Sequence, residues 1–578
     1  MTGQRPAWGA WPEVDGRWSL RLWAPGHDAV TAVVDGAETA MTATGDGWFE
    51  ATVPGEAGSE YLFVLPDGLR APDPASRRQR HDVHGPSLLT RPVEGPTWAG
   101  RPWEEAVIQE IHVGTFTAEG TYRAAIAHLK DMADIGFTAV ELMPLAQFAG
   151  DRGWGYDGVL AYAPHPIYGT PDDLRAFVAA AHDVGLMVFI DVVMNHFGPE
   201  GAYLHPIAPE FFDEERHTPW GAAIDFTQPP VRRFFIENAI YWIREFGFDG
   251  IRFDAIDSIN DPSDPDLMVE IAREIRATFP DRQIHLATED ERNITYLHER
   301  GEDGSVPLHT AEWNDDFHNA AHVVASGEHE GYYKPYKDNP VGLMARTLAE
   351  GFSHQGENGR GVDSTGQPPT AFVDFLQNHD QIGNRAFGER LQALTDHDTL
   401  EALTAILLLS PHIPLMFMGE EYGETRPFTF FAGFEGDLAK AVRDGRRAEF
   451  AHFQDFDTDP EQLPDPIARS SVEASRIDRS RRETPEGRAA LERTRHLLAL
   501  RQMHVVPYLA GTGGKSGRVL ECRDRALAID WRLNGALLQL RANFGSGEVD
   551  LPGAEGDEIH STAHPGHTHW ARHWILTE

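Results

Sequence analysis

The chain has 578 residues, too many for a single hydrophobic core, so two to four domains are expected. Fifty basic against ninety acidic residues give a formal charge of −40, which excludes a general nucleic-acid binder and predicts a self-repelling surface. A hydrophobic content of 41% with 14 tryptophans excludes a disordered chain, and a lone cysteine, Cys522, excludes an intrachain disulfide and suits a reducing cytoplasm.

The first residues, MTGQRPAWGAWPEVDG, lack the basic and apolar regions of a secretory leader. No run reaches the roughly 18 apolar residues of a membrane helix; ALTAILLLSPHIPLMFM is broken by Pro411, His412 and Pro414. A cytoplasmic chain with no membrane partner is expected.

Residues 1–95 hold short β segments, WSLRLWAP, AVTAVVDG and GWFEATVP, closely punctuated by turn residues. That rhythm predicts an N-terminal immunoglobulin-like β-sandwich. From about 105 to 420, apolar strands alternate with amphipathic helices: AVIQEIHVGTF before TYRAAIAHLKDMADIG, TAVELMP before PDDLRAFVAAAHDVG, LMVFIDVVMN before PPVRRFFIENAIYWIREFG. FDGIRFDAID, QIHLATED, TAFVDFLQNHD and IPLMFMGEE continue the series, and a sixth repeat near 307–327 is the least distinct. About eight such repeats predict a parallel sheet closed into a TIM-type (β/α)8 barrel, assigned to residues 96–502 with inserted loops. A helical stretch, 471–502, leads to a β-rich tail, 503–578, expected to be a C-terminal β-sandwich. The fold class expected is α/β.

Charged or polar residues close most of the barrel strands: Glu110 and His112, Glu141, Asn195 and His196, Asp254, Glu289, His379 and Asp380, Glu420. Barrel active sites lie at that C-terminal rim. A lone strand-end carboxylate is ordinarily a helix cap or a solvated residue. Asp254, Glu289 and Asp380 converging with Arg252, His196 and His379 make a functional cluster the better reading. Two carboxylates about 5–5.5 Å apart hydrolyse a glycoside with retention, one as nucleophile and one as general acid/base. Arg252 shares a strand face with Asp254 and favours its ionised form. Asp290 and Glu291 flank Glu289, so they are expected to raise its proton affinity. Asp380 is suited to accept sugar hydroxyls.

The strings DVVMNH (191–196), GIRFDAID (250–257), ATEDERN (287–293) and FLQNHDQIGNR (375–385) resemble, in order, the four sequence regions of the α-amylase family of glycoside hydrolases. The resemblance implies Asp254 as nucleophile, Glu289 as general acid/base and Asp380 as the transition-state-stabilising aspartate, accompanied by Arg252, His196 and His379. It also implies that Tyr156 in WGYDG stacks on the sugar and that Asp191 supports the centre. Further strings, among them QEIHVGTFTAEGTY, NHFGPEGAYL, EWNDDFHNAAH and GYYKPY, are similar to the trehalohydrolase branch of that family. That likeness implies cleavage of the α-1,4 bond beside the terminal trehalose of malto-oligosyltrehalose, or action on a related α-glucan, without cofactor or metal. It further implies substrate contacts from Trp313 and Asp316, and functional pairing with a malto-oligosyltrehalose synthase. Asp257 departs from the pattern, standing where that branch often has histidine on the leaving-group side. A glycogen branching or debranching enzyme of the same family is the alternative reading.

Three other strings are set aside. LAGTGGKS (509–516) lacks the first glycine and the following helix of a phosphate loop. DFDTDPEQLPDP (455–466) has prolines where a calcium loop needs glycine and acid. His564, His567, His569 and His573 are expected on a surface strand. RPFTFFAGF (426–434) is expected either in the core or as sugar-stacking rings at the rim.

Overall fold

A computed structural model of the chain describes residues 5–218, 221–450, 462–523, 525–564 and 567–577. Eight parallel strands close on themselves in chain order: β1 (Ile108–Ile111), β2 (Ala139–Leu142), β3 (Met187–Val193), β4 (Gly250–Asp254), β5 (His285–Thr288), β6 (Ala311–Trp313), β7 (Phe372–Phe375) and β8 (Ile413–Phe417). β8 returns to β1 with Ile108 facing Leu415, which removes every sheet edge. The strands are buried along almost their whole length, as parallel strands covered on both faces must be.

Alternation of side chains decides what fills the barrel. Ile108, Ala139, Phe189, Ala287, Ala311, Val373 and Leu415 pack together inside it. The same parity, carried two residues on, brings Glu110, Glu141, Asp191, Arg252, Glu289 and Trp313 to the C-terminal end. The intervening residues, such as Val140, Ile251 and Leu286, join the larger core under the surrounding helices. Those helices carry ordinary boundary signals. α1 (Tyr122–Ile135) is capped by Thr121 and stops at Gly136, whose φ of +119° favours glycine; α2 (Pro171–Asp183) opens with a Thr170/Asp173 capping box. The sixth repeat was indistinct because β6 has three residues, one of them the charged Glu312.

Before the barrel, two antiparallel sheets face each other. Gly9–Pro12, Trp18–Trp23, Thr42–Gly45 and Trp48–Val53 form one; Thr31–Val34, Ala37–Ala40 and Glu60–Val64 are in the other. Trp18, Leu20, Phe49, Tyr61 and Phe63 are buried between them. After the barrel the described residues form one five-stranded antiparallel sheet, 517–577. Its packing partners are barrel helices Pro340–Glu350 and His397–Leu409, so helices supply the layer that a second sheet was expected to give. Residues 509–516 lead into its first strand, whereas 451–461, most of the acidic string, lie outside the described residues.

The aromatic string resolves as core: Phe428, Phe431 and Phe434 are buried, and Phe428 stacks on Trp154 at 5.3 Å. Among the described residues no group of three His, Cys, Asp or Glu is arranged to hold a metal, and no helix is long and apolar enough to cross a membrane. His573 differs from the surface position expected of it. It is 0% exposed, pairs across strands with Leu540 and His560, and neither ring nitrogen has a hydrogen-bond partner among the described residues.

Burial, helped by His560, pushes His573 from 6.5 down to about 3. The unfolded chain therefore binds this proton more readily. The associated stability is complete above about pH 6.5 and erodes as the pH falls toward 3. His573→Leu is expected to lose less stability than the parent between pH 7 and pH 5, as read from urea unfolding at both values.

Candidate active site

Arg252, fully buried in the middle of β4, organises the rim. Its Nη1 lies 2.6 Å from Asp191 Oδ2 on β3 and 2.9 Å from Asp254 Oδ1. Its Nη2 lies 2.7 Å from Glu289 Oε2, as a charge contact without hydrogen-bond alignment. The guanidinium rests 4.3 Å from the Trp313 ring centroid, so a cation–π contact closes its underside. Burial opposes the charge, but Asp191, Glu289 and Asp254 hold the proton more tightly than usual.

Asp254 ends β4 and is 7% exposed. Asn195 donates to both its Oδ2 (3.0 Å) and its carbonyl (2.8 Å), so two directions fix the carboxylate. The next residue, Ala255, is left-handed at φ +41°, a strained state for a residue with a Cβ. That turn brings the Ala255 amide to Glu289 Oε2 at 2.9 Å, joining the ends of β4 and β5.

Glu289 holds its proton well above the usual carboxylate range. Burial is the main cause; Arg252 opposes it, while Asp254, Asp380 and Asp315 reinforce it. Neither flanking acid is among the main causes, and Asp290 instead accepts from Arg292 at 2.5 Å. Asp380 shows the opposite state. Burial would raise it, but the His379 imidazolium beside it carries it below the ordinary value. Two carboxyl groups in one site are thus held in different protonation states.

His379 is kept protonated against burial by Asp380 and Glu110. Its Nδ1 donates to Glu110 Oε1, and its Nε2 lies 2.7 Å from Tyr156 Oη and 3.3 Å from Asp380 Oδ2. Tyr156 Oη donates in turn to Asp191 Oδ2 at 2.6 Å. A continuous chain therefore runs from Glu110 through His379, Tyr156 and Asp191 to Arg252. His196 adjoins it, with Nε2 donating to the Tyr156 carbonyl at 3.0 Å.

A cavity of about 360 Å³ opens over Glu289 and Asp380, walled by Asp315, Tyr332, Tyr333 and Asn384. Its volume lies within the roughly 300–1,000 Å³ of small-molecule sites. The structure brings Asp254, Glu289, Asp380, Arg252, Tyr156, His379 and Trp313 into one network, with Trp313 as a buried floor. Asp257 sits one turn past Asp254, its carboxyl raised by burial and by Asp290 and Glu291. Asp316 turns into the fold instead, accepting from Asn293 (2.9 Å), the Ser353 amide (2.7 Å) and Arg360 (3.1 Å). Asp315 takes the cavity position, bonded to Gln381 Nε2 at 3.0 Å, with a carboxyl raised to about 7 by burial and by Asp380. Strand parity ends at Trp313, because Asp315 and Asp316 already open the helix Asp315–Ser326, so no strand pattern selects one over the other. Tyr332 and Tyr333 lie in GYYKPY, a string similar to the trehalohydrolase branch that carried no role for either of them; they belong to a turn after the sixth repeat.

The sequence model of the family described as "Alpha amylase, catalytic domain" matches residues 95–220, and that of "Domain of unknown function (DUF3459)" matches 516–574. A malto-oligosyltrehalose trehalohydrolase of Deinococcus radiodurans is 40% identical over 495 residues, covering 84% of this chain and 80% of its own. One from Rhizobium sp. (strain M-11) is 36% identical and covers 93% of each. A crystal structure from Salmonella typhimurium, named as an alpha amylase, is 50% identical, covers 99% of this chain and 100% of its own, and superposes with a TM-score of 0.96.

Replacing Arg252 with Met leaves Asp191 and Asp254 buried without their counter-charge. A loss of about 3–5 kcal/mol is expected from urea unfolding at pH 8, and a smaller loss at pH 5, where the stranded carboxyls take up protons.

Proposed function

The chain belongs to the malto-oligosyltrehalose trehalohydrolases of the α-amylase family and is a glycoside hydrolase, and we propose that Asp254, Glu289 and Asp380 carry its reaction by double displacement. The reaction is cleavage of the α-1,4-glucosidic bond next to the terminal trehalose unit of malto-oligosyltrehalose. Asp254 attacks the anomeric carbon while Glu289 gives its proton to the departing glycosidic oxygen, and trehalose leaves. The malto-oligosyl ester on Asp254 is then hydrolysed by water that gives a proton back to Glu289, so the α configuration is retained.

The observation that carries this reading is the placement of Asp254 against Arg252 with a proton-holding Glu289 beside them. An ionised nucleophile needs a nearby fixed cation, and Arg252 Nη1 stands 2.9 Å from Asp254. A general acid needs a retained proton, and Glu289 keeps one through burial and its acidic neighbours. Asp380, ionised beside His379, is suited to accept sugar hydroxyls, and Tyr156, already stacked on His379 at 5.0 Å, to face the ring. Asp257 and the walls of the cavity bear on the trehalose side. We assign the chain to the cytoplasm, where its single cysteine stays reduced, and to pairing with a synthase that builds the terminal trehalose unit.

Asp254→Asn is expected to reduce trehalose release from malto-oligosyltrehalose by about 10³-fold or more with folding intact; near-parental rates would remove Asp254 from the reaction. Release of linear chains or new branches in place of trehalose would favour a debranching or branching activity. Asp315→Asn removes a charge that helps Glu289 keep its proton. The alkaline limb of the kcat/KM profile is therefore expected to move to lower pH.

A further inference from the structure

A second cavity, about 190 Å³, lies between the N-terminal sheets and the outside of the barrel, lined by Trp11, Arg77, Val93, Tyr162, Tyr241 and Glu245 among others. Glu245 precedes the first residues of β4, whereas Asp254 ends that strand, so this cavity lies at the opposite end of the barrel from the reacting acids.

Four features distinguish it from a packing gap. First, Arg77 and Glu245 are buried, 7% and 5% exposed, and face each other at 3.7 Å without a hydrogen bond. Arg77 Nε and Glu245 Oε2 have no hydrogen-bond partner among the described residues, although Arg175 stands 3.9 Å from Glu245. The charges are compensated, yet donor and acceptor capacity is left over in a buried place, which is costly unless something uses it. Second, the helix Pro229–Tyr241 passes into a π turn, Trp242–Phe246, that carries Glu245. Such insertions are rare and concentrate at functional sites. Third, the walls are aromatic: Arg77 lies 5.5 Å from the Trp11 centroid and 5.6 Å from that of Tyr241. Fourth, the lining holds four arginines and four glutamates, so its formal charge is zero.

A charge-balanced cavity repels neither sign and offers no net attraction to an ion. Leftover donors and acceptors between ring faces match a neutral molecule with many hydroxyls and an apolar face. The volume, below the roughly 300 Å³ lower end of drug-sized sites, limits it to about one ring. We propose that this cavity is a second sugar-binding site, taking a single neutral hexose ring, either free or as the end of a glycoside.

The test compares Asp254→Asn, which cannot turn sugars over, with Asp254→Asn/Val93→Trp. Val93 is 42% exposed at the mouth, so tryptophan there closes the cavity without touching the core. Calorimetric titration with glucose, trehalose and maltose is expected to show one more sugar bound per chain in the open protein for at least one of them. Binding of glucose assigns a free hexose; binding of the disaccharides alone assigns a glycoside end. Trp11→Ala, also in the Asp254→Asn background, is expected to weaken that extra site about ten-fold. Glucose 6-phosphate is expected to bind it at least ten-fold more weakly than glucose or, if glucose does not bind, than the disaccharide that does. Equal stoichiometry in open and closed proteins for all three sugars would mean a merely hydrated cavity and would overturn the proposal. Phosphate-bearing sugar bound as well as the neutral one would overturn its neutral-ligand basis.

Discussion

A guanidinium buried inside a barrel is the constraint on which the rest of this site depends. Desolvating Arg252 costs several kcal/mol unless acids surround it, and Asp191 and Asp254 do, with the carboxyl of Glu289 beside them. Each comes from a different adjacent strand or strand end, so closing the barrel in the correct register is what assembles the charges. The converse also holds. Asp191 and Asp254 are tolerable at that depth only because the arginine is there. Fold and site are therefore one electrostatic unit at the C-terminal end of β3, β4 and β5.

The second cation, His379, extends the unit. It is wedged between Glu110 and Asp380 and reaches Asp191 through Tyr156. Four carboxyl groups share two cations along this chain, and Glu289 and Glu141, which burial drives above the usual carboxylate range, sit beside it. A cluster of this kind settles by letting some acids keep their protons. Where the proton stays follows from burial and from the neighbouring acids: the His379 imidazolium outweighs burial at Asp380, whereas at Glu289 burial and three acidic neighbours outweigh Arg252. The acid and base roles we propose rest on that inequality.

Much of this was legible from strand parity alone. Arg252 and Asp254 share a face because they are two residues apart, and the order of repeats announced a closed barrel. Parity stops short of choosing between Asp315 and Asp316, which lie in the helix that follows β6. What the sequence did not reveal depends on contacts distant in the chain. Asp316 is consumed by Asn293, Ser353 and Arg360, and Glu289 is raised by Asp254, Asp380 and Asp315 in place of its neighbours in sequence. His573 read as a surface residue because polar residues surround it in the tail; its partner strand, Ala536–Asn543, turns it inward. The C-terminal sheet finds its second layer in barrel helices, a fact no local pattern encodes. The Arg77–Glu245 cavity was invisible for the same reason, its two charges lying 168 positions apart.

The central claim is that Asp254, held against Arg252, bonds to carbon while Glu289 manages the proton. Its most direct test is to trap the covalent intermediate. A malto-oligosyl fluoride, whose leaving group needs no acid, is offered to Glu289→Gln, and the digested protein is analysed by mass spectrometry. A malto-oligosyl adduct on the peptide containing Asp254 is the predicted result. An unmodified Asp254 peptide together with release of the inverted β-anomer would contradict the account.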